Sequence, residues 1–306
     1  MLAHQPVLLH EALVSLAVGR DGTFVDCTFG RGGHAAAILA ALGPQGRLVA
    51  LDRDPEAVAA ARARFADEPR FRIHHAPFSS LARVLEAEGL MGAVAGILID
   101  LGVSSPQLND PARGFSFREA GPLDMRMDPG TGESAATLVA RASERELTEI
   151  VRALGEERFA SRIARAIVAA RAIAPIVDTL QLAEIVARAV PTREPGKHPA
   201  TRTFQALRLR VNRELDELDE VLPQCVPALA AHGRLVVIAF HSLEDRIAKR
   251  FMRNAARGPL GPDGAPLMGA RPQLTLVGKA QRPSAAECDA NPRARSAVLR
   301  AAERCA

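Results

Sequence analysis

The 306-residue chain contains no tyrosine and no tryptophan. Any stacking on a nucleobase must come from phenylalanine, histidine or arginine, and a tyrosine proton relay is excluded. Cysteine is scarce: Cys27, Cys225, Cys288 and Cys305 form no C-x-x-C pair and no regular spacing, which argues against a zinc ribbon or a disulfide framework. No metal site is expected, and a reduced, cytoplasmic protein is the simplest expectation. No apolar run approaches membrane-spanning length, and no basic segment leads into an apolar core at the N-terminus. Internal repeats and long low-complexity tracts are also missing. What is present is an apolar content of 48%, enough to bury a core, and a net charge of +4 in which arginine far outnumbers lysine. Arginine favours bidentate phosphate contacts, so a nucleic-acid partner is compatible with the composition without being demanded by it.

The most informative segment runs from Val25 through Asp26, Gly30, Gly32, Gly33 and His34, then through an apolar stretch to Leu48–Asp52. It reads as strand, glycine-rich turn, helix and strand, with an acidic residue ending each strand. Such a turn lets a ligand approach the backbone beside a partly positive helix N-terminus. Asp52, about twenty residues after the glycines, stands where a carboxylate can accept hydrogen bonds from ribose hydroxyls. Gly30, Gly32 and Ala35 also satisfy the dinucleotide spacing, so NAD competes with S-adenosylmethionine on pattern alone. Asp26, read as lying at the mouth of the turn, favours the methyl donor: a carboxylate there repels a pyrophosphate and suits an ammonium group.

Strand and helix signals alternate through the first hundred residues, which implies a parallel sheet covered on both faces. In such folds ligands sit at the carboxyl ends of the strands, where Asp26, Asp52, Pro77-Phe78 and Asp100 all fall. After Asp100 the alternation stops. A Pro/Gly-rich stretch over 110–130 gives way to helical patterns over 144–154, 157–171, 179–189 and 203–222. The next clear strand is Gly233–Phe240. That gap is too long for one crossover and implies an inserted helical subdomain. The expected organisation is a discontinuous sheet domain over 1–108 and 218–306, with the insert over 109–217. Residues 257–272 read as a mobile loop.

The second decisive segment is Ile97–Leu108, a strand ending at Asp100 followed by the polar loop Gly102-Val103-Ser104-Ser105-Pro106-Gln107. Methylation of an exocyclic amino group needs acceptors that hold its N–H bonds and aim the nitrogen lone pair, and Asp100 with the Ser104 hydroxyl could supply them. The bland alternative is a Ser-Ser-Pro turn that closes a helix. Of Phe115 and Phe117, one could stack on a base, while loop packing serves both equally well. Arg113, Arg126, Arg202, Arg208, Arg210 and Arg213 are candidate phosphate ligands, each more readily read as a surface or ion-paired arginine. Phe204, Leu207, Val211 and Leu215 form a core stripe at helical spacing. His241, Glu244 and Asp245 mimic a metal or acid–base cluster, but Ser242 capping a helix with Asp245 at its third position explains them better. Two other readings remain beside a methyltransferase: an NAD-dependent oxidoreductase, and an RNA-binding assembly factor without turnover.

Over nearly its whole length the chain resembles the bacterial 16S ribosomal RNA cytosine-N4 methyltransferase family. The resemblance runs from His4-Gln5-Pro6-Val7-Leu8-Leu9-His10-Glu11 to Asn291-Pro292-Arg293-Ala294-Arg295-Ser296. It passes through Asp26–His34, Asp52–Pro55, Asp100–Leu108, Arg113–Phe117, Gly121–Asp128, His198–Ala206 and Phe240–Arg246. The resemblance implies a class I, Rossmann-like α/β methyltransferase sheet that uses S-adenosyl-L-methionine. It implies that Gly32, Gly33 and His34 contact the methyl donor, that Asp52 binds its ribose, and that Phe78 packs near its adenine. Asp100 and Gln107 would line its methionine or methyl-bearing end. The implied substrate is 16S ribosomal RNA in the small ribosomal subunit, with the helical insert aiding RNA recognition. A homodimer is compatible with the sequence, which holds no residue-level argument for one.

Overall fold

The computed structural model describes residues 6–19, 21–192, 194, 196, 198–258 and 271–306. His4 and Gln5 of the first motif, and most of the 257–272 loop expectation, lie outside the described residues. The chain divides into two compact units, Met1–Gly102 with Leu215–Ala306, and Val103–Glu214.

The first unit begins with α1 (Leu9–Leu16), β1 (Thr23–Asp26), α2 (Gly33–Ala41), β2 (Arg47–Asp52), α3 (Pro55–Arg64), β3 (Phe71–His75), α4 (Leu81–Ala87) and β4 (Val94–Asp100). The second unit holds α5 (Ser105–Asn109), α6 (Ala135–Arg141), α7 (Glu144–Gly155), α8 (Ala160–Arg171), α9 (Thr179–Ala189) and α10 (Thr201–Asn212). The chain then returns through α11 (Glu214–Ala228), β5 (Leu229–Ala239), α12 (Ser242–Arg257), β6 (Leu274–Leu276), α13 (Ala285–Ala290) and β7 (Val298–Arg304).

The sheet has seven strands in the order β3-β2-β1-β4-β5-β7-β6. Five run parallel, and β7 pairs antiparallel with both β5 and β6. Its two faces follow from period-two alternation in the strands. Val25, Val49, Leu51, Ile97, Ile99, Leu235 and Val237 face one core with α4, α11 and α12. Phe24, Leu48, Ala50, Leu98, Val236 and Ile238 face the other with α1, α2 and α3. Buried on both sides, the strands read as near-continuous apolar runs. The chain winds outward from β1 in both directions, so the switch point lies between β1 and β4, at the carboxyl edge where such sheets bind ligands.

The second unit has its own core. Leu138, Leu147, Val151, Ile163, Ile167, Leu182, Val186, Phe204 and Leu207 interlock there among the helices. Val103 and Leu108 pack on this core, so the boundary falls at 102/103 and not at the expected 108/109. The return falls at 214/215 and not at 217/218, because Leu218 already belongs to the sheet core. The single helix expected over 203–222 is two. Arg213 takes φ 53 at the break. The Asn212 amide donates to Met125 O (2.7 Å) and its oxygen accepts from Met127 N–H (2.8 Å), latching the end of α10 to a distant loop. The final parallel strand starts four residues earlier than expected, because β5 carries a register shift against β4 near His232, whose φ is 64.

Candidate active site

Parallel register sets the carboxyl ends of the central strands side by side. Asp26 pairs across to Ala50 and Leu98, Asp52 to His75, and Asp100 to Ile238. Three carboxylates therefore line one edge at the switch point.

Each is held differently. Asp26 is buried beneath the turn, only 1% exposed, and not at its mouth. Its Oδ1 accepts from Thr28 N–H at 3.1 Å, and its Oδ2 has no partner. Burial pushes its carboxyl up to about 7, outweighing the lowering by His34 and by the Thr28 N–H. Asp52 accepts from Asp54 N–H at 2.8 Å on one oxygen and from Gly30 N–H at 2.7 Å on the other. Burial pushes it up to about 6 despite those two donors. Asp100 is anchored through its main chain, with its N–H donating to Thr28 Oγ1 at 2.7 Å. Its Oδ2 lies 3.4 Å from His34 Nδ1, and its Oδ1 is buried without a partner.

His34 is 6% exposed, and both its ring nitrogens face protein acceptors: Asp100 at Nδ1 and the Val7 carbonyl at Nε2, 3.2 Å away. Burial presses the ring toward its neutral form, but Asp100 and the Val7 carbonyl outweigh it and raise the pKa. His34 thus holds Asp100, and only its main chain remains to meet a ligand. That main chain is well placed. Gly33 and His34 open α2, whose N-cap Gly32 supplies no side-chain bond, so their N–H groups lack intrahelical acceptors. The glycines answer to crowding as well. A Cβ on Gly32, at φ +68, would lie 2.4 Å from the Phe29 ring, and one on Gly33 would lie 2.3 Å from Pro6 Cγ.

Phe78 opens a short 3₁₀ turn after β3 and packs partly buried on the sheet core. That turn is fixed by α11: Ser79 N–H donates to Glu217 Oε2 at 3.2 Å, and Gln224 Nε2 donates to Ser79 O at 2.7 Å. The two remaining predicted residues lie in the second unit. Ser104 is the N-cap of α5, and Gln107 Oε1 accepts from Ser104 N–H at 2.9 Å, forming a capping box. The bland reading of the Ser-Ser-Pro turn is thus realised, and Gln107 is 5% exposed.

The other candidates sort clearly. Arg113 is buried and donates to Met127 O at 2.8 Å. Arg126 grips Asp124 with two bonds of 2.7 Å, and Arg208 grips Glu214 at 2.7 and 2.9 Å. Arg202 lies 2.9 Å from Glu194. Phe115 is core, and Phe117 packs edge-on against Phe204 with ring centroids 4.6 Å apart. At α12 the cap is His241 and not Ser242, with Glu244 in place of Asp245 at the third position. Glu244 Oε2 accepts from Phe240 N–H at 2.8 Å, and Asp245 instead holds Arg300 at 2.6 and 3.0 Å. Among the described residues no group of three or more His, Cys, Asp or Glu side chains could hold a metal ion. Sequence reasoning missed Thr28 and Val7 as supports of Asp100 and His34. A hydroxyl within a turn and a backbone carbonyl carry no distinctive sequence signal.

Buried acceptor oxygens on Asp26 and Asp100, a ribose-type carboxylate on Asp52 and uncapped N–H groups at α2 fit a ligand that carries cationic groups, a ribose and a carboxylate. S-adenosylmethionine carries all three. A doubly wound sheet with such an edge defines a class I, Rossmann-like methyltransferase that uses this cofactor. The chain belongs to the MraW methylase family, whose model matches residues 1–305. Ribosomal RNA small subunit methyltransferase H of Thiobacillus denitrificans is 59% identical over 307 residues, covering 99% of this chain and 98% of that protein. The proteins of the same name from Azoarcus sp. and Thioalkalivibrio sulfidiphilus are 59% and 57% identical over 307 residues. They share 99% of this chain and 97% and 98% of their own lengths.

Proposed function

We propose that this methyltransferase transfers a methyl group to the exocyclic N4 of a cytidine in 16S ribosomal RNA, within the small subunit and in the cytoplasm. The names of its close relatives support ribosomal RNA of the small subunit as substrate. No helix among the described residues is long and apolar enough to cross a membrane, in keeping with that location. The observation that carries the choice of target atom is Asp100. One of its carboxylate oxygens is held by His34 and the other is an unpartnered buried acceptor.

When bound, S-adenosylmethionine supplies an electrophilic methyl carbon. The N–H groups of Gly33 and His34 and the carboxylate of Asp52 would hold the donor, with Gly32 shaping the turn. Phe78 would flank its adenine, and Gln107, as the resemblance implies, would contact its methionine end. A cytosine amino nitrogen is a poor nucleophile because its lone pair is delocalised into the ring. Asp100 Oδ1 accepts one of its N–H bonds, turns the lone pair out of conjugation and takes up the proton released late in transfer. Carbon-5 methylation needs an attacking thiolate, and Cys27, the cysteine within the cofactor turn, is ill suited to that role, being buried with its thiol driven well above its ordinary value. The target base must leave its stack to enter the site, which an RNA loop permits at least cost.

The test is incubation with S-adenosylmethionine and unmethylated small subunits, followed by nucleoside mass spectrometry. N4-methylcytidine is expected. A different methylated nucleoside contradicts the target atom, and cofactor binding without any methylation favours a non-catalytic RNA-binding role.

A further inference from the structure

We propose that the outward face of α12 is the track for the RNA phosphate backbone, leading the substrate to the carboxyl edge of the sheet. The inference rests on the RNA-substrate reading and adds where, on this chain, the polyanion lies.

Three observations carry it. The first is placement. Helix α12 starts at its cap His241, immediately after β5, and β5 is the hydrogen-bonded neighbour of β4, with Leu101 N–H donating to Ile238 O at 2.9 Å. The helix therefore springs from the edge that holds Asp100.

The second is the distribution of charge around the helix. Glu244, Ala248 and Met252 are buried, and Ile247, Phe251 and Ala255 pack on the sheet core beside them. Arg246, Lys249, Arg250, Arg253 and Arg257 are all exposed. Their spacing of three and four residues confines them to about 100° of the helix circumference, over about 16 Å of its length. Both carboxylates of the helix are turned to internal work, Glu244 on the Phe240 N–H and Asp245 on Arg300. Arg246 is itself engaged within the fold, and Arg250 lies 3.5 Å from Asp219, with both side chains more than half exposed. Such a pair contributes little.

The third is contrast. Several exposed arginines in the second unit are paired with carboxylates, as in Arg145–Glu149, Arg188–Glu184 and Arg141–Glu133. Four of the arginines that the sequence offered as phosphate ligands are tied to Glu, Asp or main-chain oxygens there. Like charges three or four residues apart weaken a helix, so folding alone gives no reason for the α12 stripe. A polymer of phosphodiesters does, through non-sequence-specific contacts and counterion release.

The test compares the wild-type protein with K249Q/R253Q/R257Q and with a control, R145Q/R165Q/R188Q. Each is assayed for methylation of unmethylated small subunits across a salt series, and for adenosylhomocysteine binding. The α12 variant is expected to bind adenosylhomocysteine like wild type while its KM for the subunit rises at least tenfold. Its log–log salt slope should be shallower by about 2–3, from roughly 0.7–0.9 for each lost phosphate contact. The control should retain the wild-type KM and slope. An α12 variant with wild-type KM and slope overturns the proposal, as does a control shifted equally. So does stripe-dependent binding to phosphatidylglycerol vesicles that is absent for RNA. Wild-type protein that methylates no RNA contradicts the substrate reading itself, and is thereby distinguished from failure of the track alone.

Discussion

Asp100 divides its carboxylate between a structural partner and an unpartnered oxygen, and His34 keeps that division in place. Replacing His34 by Gln removes the ring whose two nitrogens face Asp100 Oδ2 and the Val7 carbonyl and leaves a single amide nitrogen to serve both acceptors. The variant should lose about 1–3 kcal/mol of stability in urea titration. Its transfer rate at saturating cofactor should fall at least tenfold; a rate equal to wild type would remove His34 from the support of Asp100. The neighbouring carboxyls make the edge sensitive to pH. Asp26 rises from 3.8 to about 7, Asp52 rises from 3.8 to about 6, and His34 is raised above 6.5. All three bind protons more tightly folded than unfolded, so their stabilising contribution is full at acid pH and is lost as pH rises. The ligand-free protein should therefore melt at lower temperature at pH 8 than at pH 5.5. A cationic ligand favours the ionised carboxyls, so adenosylmethionine affinity should rise through pH 6–7, with calorimetry showing proton release. A flat affinity profile over that range would contradict the assignment of Asp26 and Asp52 to the cofactor edge.

Elements were legible in the sequence where a repeating pattern or a turn residue marked them. The strands through Asp100, the glycine turn and the helical character of the insert all follow from periodicity and punctuation. The break between α10 and α11 does not. It depends on Asn212 reaching Met125 and Met127, more than eighty positions earlier in the chain, a long-range bond with no local trace. The cap of α12 was displaced by one residue for a related reason. Serine is the better intrinsic cap, but Glu244 is drawn to the Phe240 and His241 N–H groups, which sets the register. Asn212→Ala should cost about 2–4 kcal/mol, because it strands a buried carbonyl and a buried N–H; a loss below half a kcal/mol would show that the latch is idle. At the turn, Gly32→Ala adds a Cβ against Phe29 in left-handed backbone. It should weaken adenosylhomocysteine binding at least tenfold by thermal-shift titration, while the far-ultraviolet circular dichroism stays unchanged.

At the scale of the molecule, a net charge of +4 conceals a segregation that composition could not reveal. Several basic residues of the second unit are paired with carboxylates, while α12 gathers five on one face. The sequence singled out arginines in the insert because they sat near motifs, and burial and ion pairing then accounted for most of them. The placing of Asp52, Asp100 and the glycine turn at the carboxyl edge was legible because strand ends and turn glycines are marked locally in the sequence. The roles of Ser104 and Gln107 were less so, because a capping box and an active-site loop call for the same residues. The claim on which the account turns is that the free oxygen of Asp100 directs the amino group. Its most direct test is single-turnover methylation of small subunits by Asp100→Asn, at cofactor and RNA concentrations shown by binding to be saturating. The account predicts a folded variant whose transfer rate falls at least a hundredfold. A rate within a few-fold of wild type would contradict it.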